Sequence, residues 1–233
     1  MIDVIKKYIS RDPISYIHIE DLLENKHTII YASDNGFIIH DDRVDFTYIS
    51  FSDDKEMKEV LSKHHYDHYL AYDLEIVEFF KDVGKTTNLT QWVYDSKERF
   101  DVSKYDIRKL DIGYLDLINN FYKALGPDED NKEALINNEV LGIFEDNVLA
   151  GVVGRHPEGC LGMLHIFEKY RGKGYGEALE KAKINDLLDR NQRVFEEVIE
   201  GNDASTSLQT KIGLKPGKKK IYWKIWLKIK RII

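Results

Sequence analysis

Arg171-Gly172-Lys173-Gly174-Tyr175-Gly176 sets three glycines and two cations where an apolar run, 160–167, gives way to a helix-like stretch. Glycines let backbone N–H groups turn toward one point, and a helix start adds unpaired donors and the positive end of its dipole. Such a loop is a cradle for a phosphate or pyrophosphate. An ordinary glycine-rich turn with a solvated arginine has the same letters, so the loop alone does not decide. Two other phosphate motifs are excluded. A dinucleotide fingerprint would need glycine at Glu177, and a Walker A loop would need glycine at Phe79, ahead of Gly84-Lys85-Thr86.

Further on, Asn202-x-x-Ser205-x-x-Leu208 opens a second helix-like stretch that Gly213-Leu214 closes. Two blocks at successive helix starts, separated by a strand, can converge on one elongated ligand. His64, His65 and His68 have partial metal-like spacing, and one helix face would present His64 and His68. No acidic third ligand stands at a recognisable spacing, so no metal is expected. Cys160, the single cysteine, cannot form an internal disulfide and reads as strand core rather than as a nucleophile for a ping-pong route.

These residues need elements to hold them. In the C-terminal half the spacing predicts a strand at 106–110, a helix at 112–122, a break at Gly126-Pro127 and a helix at 128–138. A hairpin of 140–144 and 148–154 follows across Glu145-Asp146-Asn147, then the strand 160–167. Next come a helix at 174–190, a strand at 194–199, a helix at 203–212 stopped by Gly213 and Pro216, and a final strand. The N-terminal half repeats the order: helix 15–25, strands 28–32 and 37–40 around Asp34-Asn35-Gly36, strand 44–51, helix 53–65, strand 66–72, helix 74–83 and strand 88–94. The repeat is one of architecture and not of letters, with the charged segment 96–104 between the copies. Where the second copy has its glycine loop, the first has Phe51-Ser52-Asp53-Asp54, acids in place of donors. That half is expected to shape an acceptor cleft or a domain interface and not to bind the anion.

The chain has 233 residues, 42% of them hydrophobic, enough for one large or two small domains. The N-terminus interrupts its apolar residues with charge, and no apolar run reaches membrane-spanning length. With one cysteine, this points to a reducing, cytoplasmic setting and no membrane. Charge is uneven. Of 34 basic residues nine lie after position 210, where there is no acid; the first 210 residues hold the other 25 against 41 acids, a net −16. In that tail Ile221, Trp223, Ile225, Leu227 and Ile229 alternate with Lys220, Tyr222, Lys224, Trp226, Lys228 and Lys230, which predicts a strand with one buried face, closing the C-terminal domain. A nucleic-acid tail using lysines among Tyr222, Trp223 and Trp226 is the weaker reading of the same residues.

The run LGMLHIFEKYRGKGYG, the later EGNDASTSLQTKIGL and the final IYW resemble the GNAT superfamily of acyl-CoA-dependent N-acyltransferases over residues 104–230, and most nearly its glycine N-acyltransferase-like branch. That branch also has a degenerate N-terminal half. The resemblance implies an α/β, tandem GNAT-like fold with a mixed, mostly antiparallel sheet: a degenerate domain at 1–100 and a complete acyl-CoA-binding domain at 104–233. It further implies that backbone groups of Leu164, His165 and Ile166 pair with the pantetheine arm of acetyl-CoA. Amides from Arg171, Gly172, Lys173, Gly174, Tyr175 and Gly176 would hold the pyrophosphate, and Asn202 and Ser205 would flank the pantetheine.

The implied reaction is transfer of an acetyl or other small acyl group to a primary amine of a small molecule or peptide by direct attack. The amine must be neutral. For a lysine-like amine deprotonation at pH 7 costs about 4.6 kcal/mol, for an α-amine about 1 kcal/mol. Here the chain departs from the family pattern. Many members carry a glutamate near the position of Cys160, where this chain offers Glu158 two residues earlier. Many carry a tyrosine, the acid for the leaving thiolate, where this chain has Gln209, which can only hydrogen-bond. Glu158, Glu197, Glu200 and His165 are the base candidates, and Glu200 is favoured because it lies two residues before Asn202. These departures also allow an acyl-CoA sensor without turnover. The sequence leaves a homodimer open.

Overall fold

A computed structural model describes residues 1–64, 66, 68–81, 85–121 and 128–225. Of the residues singled out above, His65, Gly84, Gly126-Pro127 and the tail from Trp226 through Arg231 lie outside these. The expected order of elements is present twice. The first copy runs α1 (Ile2–Ile9), α2 (Ile17–Leu22), β1 (His27–Ser33), β2 (Gly36–Asp41), β3 (Phe46–Phe51), α3 (Asp54–Leu61), β4 (His68–Ala71), α4 (Leu74–Phe80) and β5 (Lys85–Val93). The second runs β6 (Asp106–Lys109), a 3-10 turn (Ile112–Tyr114), α5 (Leu115–Phe121), α6 (Asp128–Ile136), β7 (Leu141–Glu145), β8 (Val148–Arg155) and β9 (Leu161–Ile166). It ends with α7 (Tyr175–Asp189), β10 (Phe195–Ile199), α8 (Asp203–Ile212) and β11 (Lys215–Ile225).

Contacts divide the chain into two compact units, and the division is not linear. Met1–Val93, Glu197–Thr206 and the chain from Lys215 onward form the first; Tyr94–Glu196 and Ser207–Leu214 form the second. The expected boundary near residues 100–104 therefore separates only part of the chain. The tail strand is the reason. β11 lies between β4 and β5, antiparallel to both, in a strand order β1-β2-β3-β4-β11-β5. It does not close the C-terminal domain, as its position in the sequence suggested.

Nor does β11 bury only one face. Ile221 and Trp223 pack under α1 and α2 with Phe37, Ile39 and Tyr48, while Tyr222 packs with Ile38, Ile49 and Met57 under α3. The strand is central in this unit, with helices on both faces, so alternation sends consecutive residues into two different cores. Each buried Ile or Leu contributes on the order of 2 kcal/mol of transfer free energy. Between Pro216 and Lys220 the register with β5 slips. The extra residues of this bulge reach Ser15, whose Oγ accepts from the Lys219 amide at 3.0 Å, and the Lys219 ammonium pairs with Asp73.

In the second unit the order is β10-β9-β8-β7-β6. The β7–β8 hairpin turns at Asp146 and Asn147, both in the left-handed region (φ 51° and 62°), the geometry whose twist suits a two-residue connection. One sheet face holds Ile143, Ala150 and Val153 against Ala178, Leu179 and Ala182 of α7. The other holds Val140, Phe144 and Val152 against Ile118 of α5 and Leu135 of α6. An ionic cluster fastens α7. Lys183, fully buried, donates to Glu139 at 2.8 Å and Asp186 at 2.9 Å, and Arg190 bonds both acids. Among the described residues no helix is long and apolar enough to cross a membrane.

Candidate functional site

Everything at the glycine loop depends on a bend in β9. Between the pairs Val152↔His165 and Gly154↔Gly162, β9 carries one residue more than β8. The bulge falls at Met163, a non-glycine residue at φ 56°, and a bulge bends and twists the strand that carries it. β9 pairs in parallel with β10 through Leu161↔Glu196, before the bulge. Beyond it, the Phe167 amide bonds the Ala150 carbonyl of β8 at 3.0 Å. Alternation then turns the backbone groups of Leu164 and Ile166 to the opposite edge, away from β8. The Ile166 carbonyl there accepts from Arg171 Nε at 3.2 Å, which braces the loop against the strand end.

The loop climbs through Gly172 (φ 78°) to Gly174 (φ 77°), the residue that begins α7. Both angles strain any side chain but hydrogen. The first helical bond runs from the Ala178 amide to the Gly174 carbonyl at 3.1 Å. Among the described residues, none accepts from the backbone N–H groups of residues 172–177. Six backbone donors without a protein acceptor thus follow one another through the loop to the start of a fifteen-residue helix, the positive end of its dipole. A Cβ at Gly172 would meet nothing within 4 Å, and at Gly174 only the Tyr105 hydroxyl at 3.8 Å, so a bulky anion can approach the backbone. Below the loop, Lys173 Nζ donates to both Glu145 oxygens at 2.8 Å and the Tyr175 hydroxyl donates to the same carboxylate. These bonds hold Glu145 below the usual carboxylate range and push Tyr175 up to about 12. A splayed strand edge running into an amide cradle at a helix start, on this order of elements, decides the architecture. The chain has the GNAT fold.

Comparisons agree. The family described as FR47-like protein matches residues 140–223. No curated protein sequence matches. A solved Drosophila protein is similar over 96% of this chain and 94% of its own, with a TM-score of 0.72 at 15% identity. A GNAT-family acetyltransferase from Colwellia psychrerythraea is similar over 95% of this chain and 94% of its own (TM-score 0.56, 10% identity). A GCN5-related N-acetyltransferase-like protein from Streptococcus suis is similar over 95% of this chain and 99% of its own (TM-score 0.55, 12% identity).

The residues expected at a GNAT site fare unequally. Leu164 and Ile166 turn their backbones to the open edge, whereas the backbone of His165 is engaged with Val152 of β8, so His165 has only its side chain to offer. Asn202 and Ser205 belong to the other unit, where the Asn202 side chain caps α8 by accepting from the Ser205 amide at 3.1 Å. Glu200 is exposed and ion-paired. Its exposed carboxylate pairs with Lys220 at 2.5 Å and accepts from Asn88 at 2.9 Å, and these bonds hold it low, as a solvated anion. The same pair takes up one of the tail lysines, as Asp73 takes up Lys219.

Gln209 is fully buried in the second unit beside Glu180 of α7. Burial pushes Glu180 up, and outweighs the opposing influence of Glu196 and Gln209 beside it. Glu158 sits in the turn before β9, half-buried, accepting from the buried Cys160 thiol at 3.5 Å. Glu197 lies in the first unit and accepts from His18 Nδ1 at 2.8 Å, while the Tyr48 hydroxyl meets His18 Nε2 at 3.0 Å. This buried Glu–His–Tyr chain has no local signal in the sequence, since it joins residues 179 positions apart. In the N-terminal copy Asp53 caps α3 by accepting from the Glu56 amide at 2.8 Å, the ordinary use of an acid at a helix start. His64 comes after α3 and His68 opens β4, so no helix face presents both. No group of three or more metal-type side chains occurs among the described residues.

Proposed function

We propose that the chain is an acyl-CoA-dependent N-acyltransferase that moves an acetyl or similarly small acyl group from CoA to a primary amine by direct attack. The observation that carries this reading is the set of six acceptor-free amides at residues 172–177, placed where the bulged β9 leaves its edge open. Those amides suit the pyrophosphate of acetyl-CoA, and the outward backbone groups of Leu164 and Ile166 suit its pantetheine amides, as an added strand would. The GNAT fold supports the reaction class. Likeness to the glycine N-acyltransferase-like branch rests on the three sequence runs alone. The acceptor is taken to be a small-molecule or peptide amine and the setting the cytoplasm.

Titration calorimetry with acetyl-CoA tests the reading. The wild-type protein should bind, and Gly174→Glu, which sets a carboxylate in the cradle at a left-handed position, should lose at least about tenfold in affinity. Absence of binding, or equal binding by the variant, refutes it. One observation favours a rival: Gln209, standing where many members carry the acid tyrosine, is buried, and the Glu200 carboxylate is ion-paired, which suits an acyl-CoA sensor. Thiol release from acetyl-CoA with any primary amine, above the rate in buffer, excludes the sensor.

A further inference from the structure

Leu164 and Ile166 are the side chains nearest a Cβ built at Gly176, so strand alternation carries the His165 side chain to the other face of β9. There its ring lies over Phe121 of α5, centroids 4.4 Å apart and planes 20° from parallel. Phe167 meets both rings edge-on, at 5.3 Å from His165 and 5.2 Å from Phe121. Among the described residues none hydrogen-bonds a ring nitrogen of His165. One turn back along α5, on the face of Phe121, Leu117 is exposed. The cluster is aromatic and apolar, lies wholly within the second unit, and belongs to the strand whose backbone faces the open edge.

Resting on the acyltransferase reading, we propose that this cluster is the acceptor site, that it takes a primary amine carried on an apolar or aromatic body, and that the His165 imidazole removes the ammonium proton. The faces of Phe121 and Phe167 attract an ammonium group, and Leu117 extends the apolar wall for the hydrocarbon body that bears it. The groups facing His165 are Phe121 from α5, Phe167 from its own strand end, Val152 from β8 and the Arg171 guanidinium from the loop. Among the described residues no carboxylate acts on His165, so the site favours one ammonium on an apolar carrier over a polyamine. Burial, and secondarily Arg171, push the imidazole below its ordinary value, so that it is neutral at pH 7.

The step balances. The ammonium gives one proton to a His165 nitrogen, and the neutral amine forms the C–N bond at the thioester carbon. The C–S bond breaks, and the second amine proton passes to the CoA sulfur. The imidazolium then returns its proton to water.

Steady-state kinetics with acetyl-CoA and 2-phenylethylamine, n-hexylamine or spermidine test the proposal. The first two should exceed spermidine at least about tenfold in kcat/KM. His165→Gln should lower kcat at pH 7 about 100-fold or more, with calorimetric affinity for acetyl-CoA within about threefold of wild type. The wild-type plot of log kcat against pH should rise through a value below 6.5, and the variant should lack that rise. Phe121→Leu, which keeps the imidazole but removes its stacking partner, should raise KM for 2-phenylethylamine severalfold and spare kcat. Retained kcat in His165→Gln, or a preference for spermidine, overturns the proposal. If acetyl-CoA binds and amines are acetylated while these results fail, only the acceptor assignment falls; if acetyl-CoA does not bind, both readings fall.

Discussion

Glu139→Gln should unfasten the helix that carries the amide cradle, and the structure sets the size of the effect. Burial alone would raise the Glu139 carboxyl, and that is the largest single influence on it. The hydrogen bonds from Arg190 and Lys183, with their charges, outweigh it and hold the group at about 2, from an ordinary 4.5. At about 1.4 kcal/mol per pH unit, this corresponds to roughly 3 kcal/mol. The carboxylate is only 16% exposed, so little of that is screened by solvent. A depressed carboxyl stabilises the fold above its unfolded value and loses that contribution as pH falls through the folded one. The contribution is therefore whole above about pH 5, shrinks from 4.5 downward and is gone below about 2. The glutamine variant also leaves Lys183, fully buried, with Asp186 as its remaining acid in the cluster, in line with the 3–5 kcal/mol typical of a broken buried pair.

The assay is urea unfolding of wild type and variant at several pH values, followed by far-ultraviolet circular dichroism. Trp92 and Trp223, both in the first unit, report that unit separately by fluorescence. The expected result is a loss of about 3 kcal/mol at pH 7 in the second unit that narrows steadily below pH 4.5. A difference under about 1 kcal/mol at pH 7, or one unchanged at pH 3, would refute the argument.

The placement of two other acids has measurable consequences. Glu200→Gln should leave kcat and KM within about twofold of wild type, because a solvated, ion-paired carboxylate contributes little, and a tenfold fall in kcat would restore it as a base. Glu180 has the opposite sign to Glu139. Burial raises it, so its ionisation destabilises the fold progressively as pH rises above the ordinary value of 4.5. Glu180→Gln should accordingly raise Tm at pH 8 more than at pH 4 in differential scanning calorimetry, and an equal shift at both would count against it.

What could be read along the chain was local. The Glu145-Asp146-Asn147 turn, the strand into the glycine loop and the start of α7 depend on residues that are neighbours in sequence, and positive φ at a glycine leaves a mark in the letters. The cradle was visible for that reason, and so was the repeated order of elements. Its edge was not. The bulge at Met163 has no glycine to announce it, yet it decides that Leu164 and Ile166 offer backbone while His165 offers only its ring.

Side-chain partners were the least legible. Glu200 stood beside Asn202 and looked poised for chemistry, but Lys220, brought alongside by β11, neutralises it. Gln209 aligned with a family position and is buried. Lys183, between Ala182 and Ile184 in α7, is interior, and the acid that pairs with it, Glu139, lies 44 positions earlier.

The sequence by itself determined the elements, their doubled order, the glycine loop at the start of α7 and the acids at the matching place in the first copy, since each is written in spacing and turn chemistry over a few residues. Only the tertiary structure decided where β11 goes. Its alternation fits any sheet, and the choice of β4 and β5 as neighbours depends on strands more than a hundred residues away, on the Lys219–Asp73 pair and on two cores waiting for Ile221 and Tyr222. Strand pairing is a contest among distant edges, and a pattern of period two carries no address.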